Sequence, residues 1–193
     1  MKKTSFLFLF FIFSMGLFAQ AQDIGSLVLE DAVTGKSYTV SKELKGKALV
    51  LIFHSTNCPF AKLYEERIID LRSRFQNQEI SFALVNPDLG SENQNSDLMR
   101  SHVDETDLNM PYLMDVNQDW VKLFKITKIP EVVILIPSEN GIQVAFRGAI
   151  DNNAQAANSV TEKYLERALN QVLRGEKPSP EQVRAVGCNV RSF

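Results

Sequence analysis

Two sulfurs carry most of the chemistry open to this chain. Cys58 stands where the apolar run Ala48-Leu-Val-Leu-Ile-Phe53 passes through His54-Ser-Thr-Asn57 into a segment that opens Cys58-Pro-Phe-Ala-Lys62. A thiol at the start of a helix faces unpaired backbone N–H groups and the positive end of the helix dipole. Both favour thiolate over thiol and make the sulfur a nucleophile near neutral pH. The only other cysteine is Cys188, close to the C-terminus. Position 61 is Ala61, so Cys58 has no resolving thiol three residues on. The two histidines, His54 and His102, form no regular metal-ligand spacing with these cysteines, and neither a metal nor another cofactor is expected. His54 is read as a strand-end histidine with a hydrogen-bonded ring, and Lys62 as part of a solvated helix face. Asp97, Asp104, Glu105 and Asp107 are read as covering a solvated helix and its following loop. Glu65 and Glu66 are helix neighbours, which do not face one substrate together. The chain holds no glycine-rich phosphate loop and no Gly-x-Ser-x-Gly elbow.

The elements that must position Cys58 follow from periodicity. Residues 26–30 and 37–40 read as two short strands of a hairpin, with Gly35 in its turn. Residues 47–53 are a near-continuous apolar run, as in a strand buried on both faces. From Pro59 the period becomes helical, with Phe60, Tyr64, Ile68, Leu71 and Phe75 on one face. Pro59 suits the first helical turn, where its missing N–H costs nothing. A second core strand is expected over 80–85, short helices over about 97–103 and 118–124, and strands over 131–136 and 142–146. A long helix is expected from about Ser159 to Leu173, ended by Gly175 and Pro178. This order predicts a three-layer α/β/α sandwich with a mixed central sheet and an N-terminal β-hairpin. Cys58 then lies beyond the carboxyl end of a central strand, where open α/β sheets place their sites.

The first residues read as a leader. Lys2 and Lys3 precede the apolar run 6–13, and Ala19-Gln-Ala21 fits small-x-small cleavage. The apolar core is shorter than the roughly 20 residues a membrane span needs. The expected organisation is a cleaved signal peptide at 1–21, one domain over 22–173, and a tail over 174–193 that carries Cys188 back onto the domain. Without the leader, 19 basic residues face 23 acidic ones. That balance argues against nucleic acid or stable membrane association. A periplasmic or secreted location is oxidising, so two thiols can pair there.

With these features in hand, the chain resembles the thioredoxin superfamily. The marks are the hairpin lead-in, the strand-Cys-Pro-x-x-helix unit, and Ile129-Pro130 ahead of a strand. More narrowly it resembles a peroxiredoxin-like (redoxin) branch, through Cys58-Pro-Phe-Ala-Lys62, Phe146-Arg-Gly-Ala-Ile-Asp151 and Ala185-Val-Gly-Cys-Asn-Val190. The resemblance implies that Pro130 is a cis-proline set against Cys58. It also implies that Ile129, Pro130 and Pro59 form the substrate side of the site. The chain departs from the branch at Thr56 and Asn57, where Asn-His is usual. Ala61 also stands where a peroxiredoxin would carry its peroxide-attacking cysteine, so typical peroxidase activity is not expected.

The expected activity is thiol–disulfide exchange on a protein or small-molecule disulfide or thiol, served by an unidentified redox donor. Cys58 is the nucleophile and Cys188 the candidate resolving cysteine, with Gly187 giving the tail backbone freedom. Two other readings stay open: a non-catalytic binding module stapled by a Cys58–Cys188 disulfide, and a weak thiol peroxidase.

Overall fold

The computed structural model describes residues 23–88 and 95–191. The expected leader at 1–21 lies outside the described residues, as do positions 89–94 of the polar stretch after Pro87. Strands β1 (Val28–Asp31) and β2 (Ser37–Thr39) form the hairpin, with Gly35 at φ +67° in its turn. There follow helix α1 (Val40–Glu43), strand β3 (Ala48–Phe53), helix α2 (Pro59–Phe75) and strand β4 (Ile80–Asn86). Helix α3 (Ser96–Glu105) leads to strand β5 (Tyr112–Met114) and helix α4 (Asp119–Phe124). Then come β6 (Lys128–Ile129), β7 (Glu131–Ser138), β8 (Gly141–Gly148), helix α5 (Tyr164–Leu173) and β9 (Cys188–Asn189).

Seven strands make one mixed sheet in the order β2-β1-β5-β4-β3-β7-β8. β3 pairs in parallel with β4 and antiparallel with β7, so it is central, and all six of its residues are buried. Alternation along the strands splits the core into two layers. Val50, Ile52, Leu84, Val132 and Ile134 pack with Tyr64, Ile68, Met99 and Leu169 of α2, α3 and α5. Leu49, Leu51, Phe53, Val85 and Val133 pack on the other face with Val40 of α1 and Trp120, Val121 and Phe124 of α4. The architecture is the expected α/β/α sandwich.

Helix α5 is shorter than its apolar pattern suggests, beginning at Tyr164 rather than near Ser159. The cause is Asn152, whose side-chain oxygen accepts from the backbone N–H groups of Thr161 and Glu162. Its own backbone N–H donates to the Glu162 carbonyl. These bonds divert the N–H and the carbonyl of Glu162, both of which a helix begun near Ser159 would use in its own ladder. Residues 157–159 instead form a separate 3-10 turn.

The segment after α5 lies along the domain. The Val183 backbone N–H donates to the Arg147 carbonyl, and the Arg147 backbone N–H donates to the Glu181 carbonyl. Gly148 (φ +145°) lets this happen, because a Cβ there would overlap the Val183 backbone. Farther on, β9 pairs antiparallel with β6, setting Cys188 opposite Ile129.

Candidate functional site

Cys58 is the N-cap residue of α2, with extended backbone and Pro59 at the first helical position. Its backbone N–H donates to the Ser55 carbonyl, and its own carbonyl receives the Lys62 N–H. Cys58 is bonded to Cys188 in a disulfide whose Cα atoms lie 6.0 Å apart. The two sulfurs differ in access: Cys58 is only 3% exposed, whereas Cys188 is half-buried. Cys58 Sγ lies 3.2 Å from the Ile129 carbonyl oxygen, and Ala61, Phe60 and Val190 pack around the pair.

The third side of the site is the turn before β7. The Ile129–Pro130 peptide is cis, and both residues are buried. Glu131 holds this turn from below, its Oε2 accepting from the backbone N–H groups of Thr127 and Lys128. Arg147 donates to the Phe124 carbonyl at 2.7 Å and lies 3.8 Å from Glu131, tying α4, the turn and β8 together. Gly187 has a sharper role than the backbone freedom expected of it. A Cβ at 187 would overlap the Ile129 carbonyl and crowd Pro130 N, so only glycine lets the tail lie flat on this peptide.

The structure therefore brings Cys58, Cys188, Ile129 and Pro130 into one place, with Pro59 exposed at its edge. The Phe146–Asp151 segment is spent on support. Arg147 braces the turn and Gly148 clears the tail. Asp151 accepts from Tyr64 Oη at 2.8 Å and Arg67 Nη1 at 2.6 Å, fixing α2 from behind. Lys62 is exposed, as expected for a solvated face.

His54 is fully buried at the end of β3, with Nδ1 2.7 Å from Tyr112 Oη and Nε2 3.2 Å from Glu65 Oε1. Burial lowers its pKa against the opposing pull of Glu65, so the ring is neutral near pH 7. Its ring is thus committed to Tyr112 and Glu65 and is no substitute for a histidine beside the sulfur. His102 reaches the same Glu65 oxygen at 2.8 Å. Burial alone would raise the Glu65 carboxyl, but the hydrogen bonds from His102 and His54 outweigh it and hold it at about 2. Sequence spacing pointed to no metal-ligand set, yet the fold gathers His54, Glu65 and His102 with their ligand atoms within 4.8 Å of one another. No sequence period links a strand end to positions 11 and 48 residues later on two different helices.

A thioredoxin-like family profile matches residues 46–141, which run from β3 through Cys58 and the cis-proline turn into β8. That segment is thioredoxin-like, and the chain as a whole has a thioredoxin-like fold. Two solved thioredoxin-fold relatives span almost the whole of it. One is a hypothetical protein of Sinorhizobium meliloti 1021, at 22% identity over 89% of this chain and 93% of that one, with a TM-score of 0.78. The other is an uncharacterized conserved protein of Geobacillus kaustophilus, at 20% identity over 89% and 91%, with a TM-score of 0.79. A thiol-disulfide oxidoreductase from Bacteroides fragilis NCTC 9343 shares the thioredoxin fold more loosely, at 14% identity over 65% and 89%, with a TM-score of 0.54. No curated protein sequence matches significantly.

Proposed function

We propose that this protein is an exported thiol–disulfide oxidoreductase whose redox couple is Cys58 and Cys188. The observation that carries the reading is the disulfide between the N-cap sulfur of α2 and a tail sulfur lying opposite Ile129, beside the cis-proline. In the reduced protein, the Cys58 thiolate attacks one sulfur of a substrate disulfide and expels the other as a thiolate. The Cys188 thiolate then attacks Cys58 Sγ, releasing the second substrate thiolate and closing the Cys58–Cys188 bond. Two electrons pass to the substrate, and a thiol donor must return them. In the other direction the same steps run backwards: a substrate thiolate attacks Cys58 Sγ and Cys188 leaves as the thiolate. A second substrate thiolate then takes the substrate sulfur of the mixed disulfide, releasing the Cys58 thiolate that the start of α2 stabilises. The fold shared with the Bacteroides fragilis oxidoreductase supports this class of chemistry. The basic, apolar and small-residue order of positions 1–21 supports export.

A second reading is a binding module in which the disulfide only fastens the tail, and the near-complete burial of Cys58 favours it. The reduction potential of the couple, read by thiol trapping in glutathione buffers and mass spectrometry, separates the two. Exchange catalysis expects a value of roughly −120 to −270 mV. A value below about −300 mV marks a structural disulfide and overturns the catalytic reading.

A further inference from the structure

We propose that His54, Glu65 and His102 form a binding site for a divalent first-row cation of the zinc type. Three observations, besides an open approach, converge on it. The donor set is two imidazoles and a carboxylate, a combination that zinc and related ions take with positions left over for water. His54 Nε2 and His102 Nε2 both point at Glu65 Oε1, at 3.2 and 2.8 Å. Ligand atoms around a tetrahedral ion with bonds of about 2.0–2.1 Å sit about 3.3 Å apart, so small side-chain adjustments admit an ion. Access is open from one side, since the Glu65 and His102 side chains are 14% and 15% exposed while His54 forms the floor.

The third observation is Tyr112. Its hydroxyl lies 2.7 Å from His54 Nδ1 and 3.2 Å from the His54 carbonyl oxygen, and it has one proton to give. If that proton goes to Nδ1, then Nε2 carries hydrogen and donates to Glu65, and the cluster is a closed hydrogen-bonded set. If it goes to the carbonyl, Nδ1–H donates to the hydroxyl and a bare Nε2 lone pair faces the carboxylate. That second arrangement is stable only with a cation between them. It is also the support a metal-bound imidazole takes from its outer shell, with the second ring N–H given to a fixed oxygen. Glu65 lies seven residues along α2 from Cys58, about 10 Å by helical rise, so the ion does not share ligands with the disulfide.

The test uses untagged full-length protein in its oxidised form, in which the disulfide removes both cysteines as ligands. Equilibrium dialysis with Zn²⁺, and the visible spectrum with Co²⁺, should show one ion per chain and no thiolate-to-cobalt charge transfer. Glu65→Gln and His102→Ala should each weaken Zn²⁺ by at least the 10–100-fold that loss of an outer-shell partner costs, with the circular dichroism spectrum unchanged. Tyr112→Phe should weaken it by about 10–100-fold. Absence of stoichiometric Zn²⁺ binding, or equal binding in the His102→Ala variant, would overturn the proposal and leave a hydrogen-bonded cluster that only fixes α2 and α3 to the sheet. None of these readouts depends on redox turnover.

Discussion

Gly187 does its work by having no side chain. Its backbone lies on the Ile129–Pro130 peptide, and a methyl group there would push the tail, and Cys188 with it, off the turn. Overpacking of this kind costs about 1–3 kcal/mol. Because the clash exists only while the tail is docked, it falls on the oxidised state. Gly187→Ala should therefore make the couple easier to reduce, by about 20–60 mV at the usual two-electron conversion. Thiol trapping in glutathione buffers reads that shift, and an unchanged potential would mean that the tail bends away from the turn without cost. Cys58 was visible in the sequence because its place at a strand-to-helix junction has a local signature. The clearance at Gly187 was not, since it depends on a peptide 58 residues earlier in the chain. His54, Glu65 and His102 were hidden for the same reason: only the packing of α2 and α3 over the end of β3 makes them neighbours.

Helix α2 has Cys58 as its N-cap and is anchored along its length. Asp151 is nearly buried and binds both Tyr64 and Arg67, while Arg67 also donates to the carbonyls of Asn153 and Ala154. Removing one partner from a largely buried pair leaves the other charge uncompensated, at about 3–5 kcal/mol. Asp151→Ala should lose about that much in urea unfolding, whereas a change under 1 kcal/mol would show that solvent replaces the anchor. A second tie joins α2 to α5, where Arg74 meets Glu166 at 2.9 Å. The hydrogen bond and charge of Arg74 lower the Glu166 pKa below its usual 4.5 despite some opposing burial. The folded value is the lower one, so this stabilisation is fully present above about 4.5 and is lost as pH falls through the lowered value. The stability gap between the wild type and Glu166→Gln should thus shrink on acidification from pH 7 to pH 3, and a constant gap would remove the ion pair from the account. The long elements behind these ties were legible because doubly buried strands and amphipathic helices leave periodic patterns. Strand β5, with three residues, and the paired β6 and β9, with two each, are too short to leave one. The start of α5 differs from the apolar period because Asn152, a residue outside the helix, takes the Glu162 N–H and carbonyl that a longer helix would use.

At the scale of the molecule, two apolar layers either side of a seven-stranded sheet make the domain, and the tail adds a covalent clasp across one end. The sandwich follows from the order of strand and helix patterns, whereas the course of the tail follows from two glycines that admit backbone against backbone, Gly148 and Gly187. That clasp has a mechanical consequence. The disulfide joins positions 130 apart, so residues 59–187 form a closed ring, while β3, an interior strand of the sheet, lies outside it. A pull on the two ends of the chain is carried across the sulfur–sulfur bond and bypasses everything between. In a force spectrometer the oxidised protein should yield only the segment before Cys58 and the last few residues. Adding a reductant should then release a further extension of about 44 nm, the length of 129 hidden residues at about 3.4 Å each. The same bond would then act as a length switch, hiding most of the polypeptide from tension until a thiol opens it.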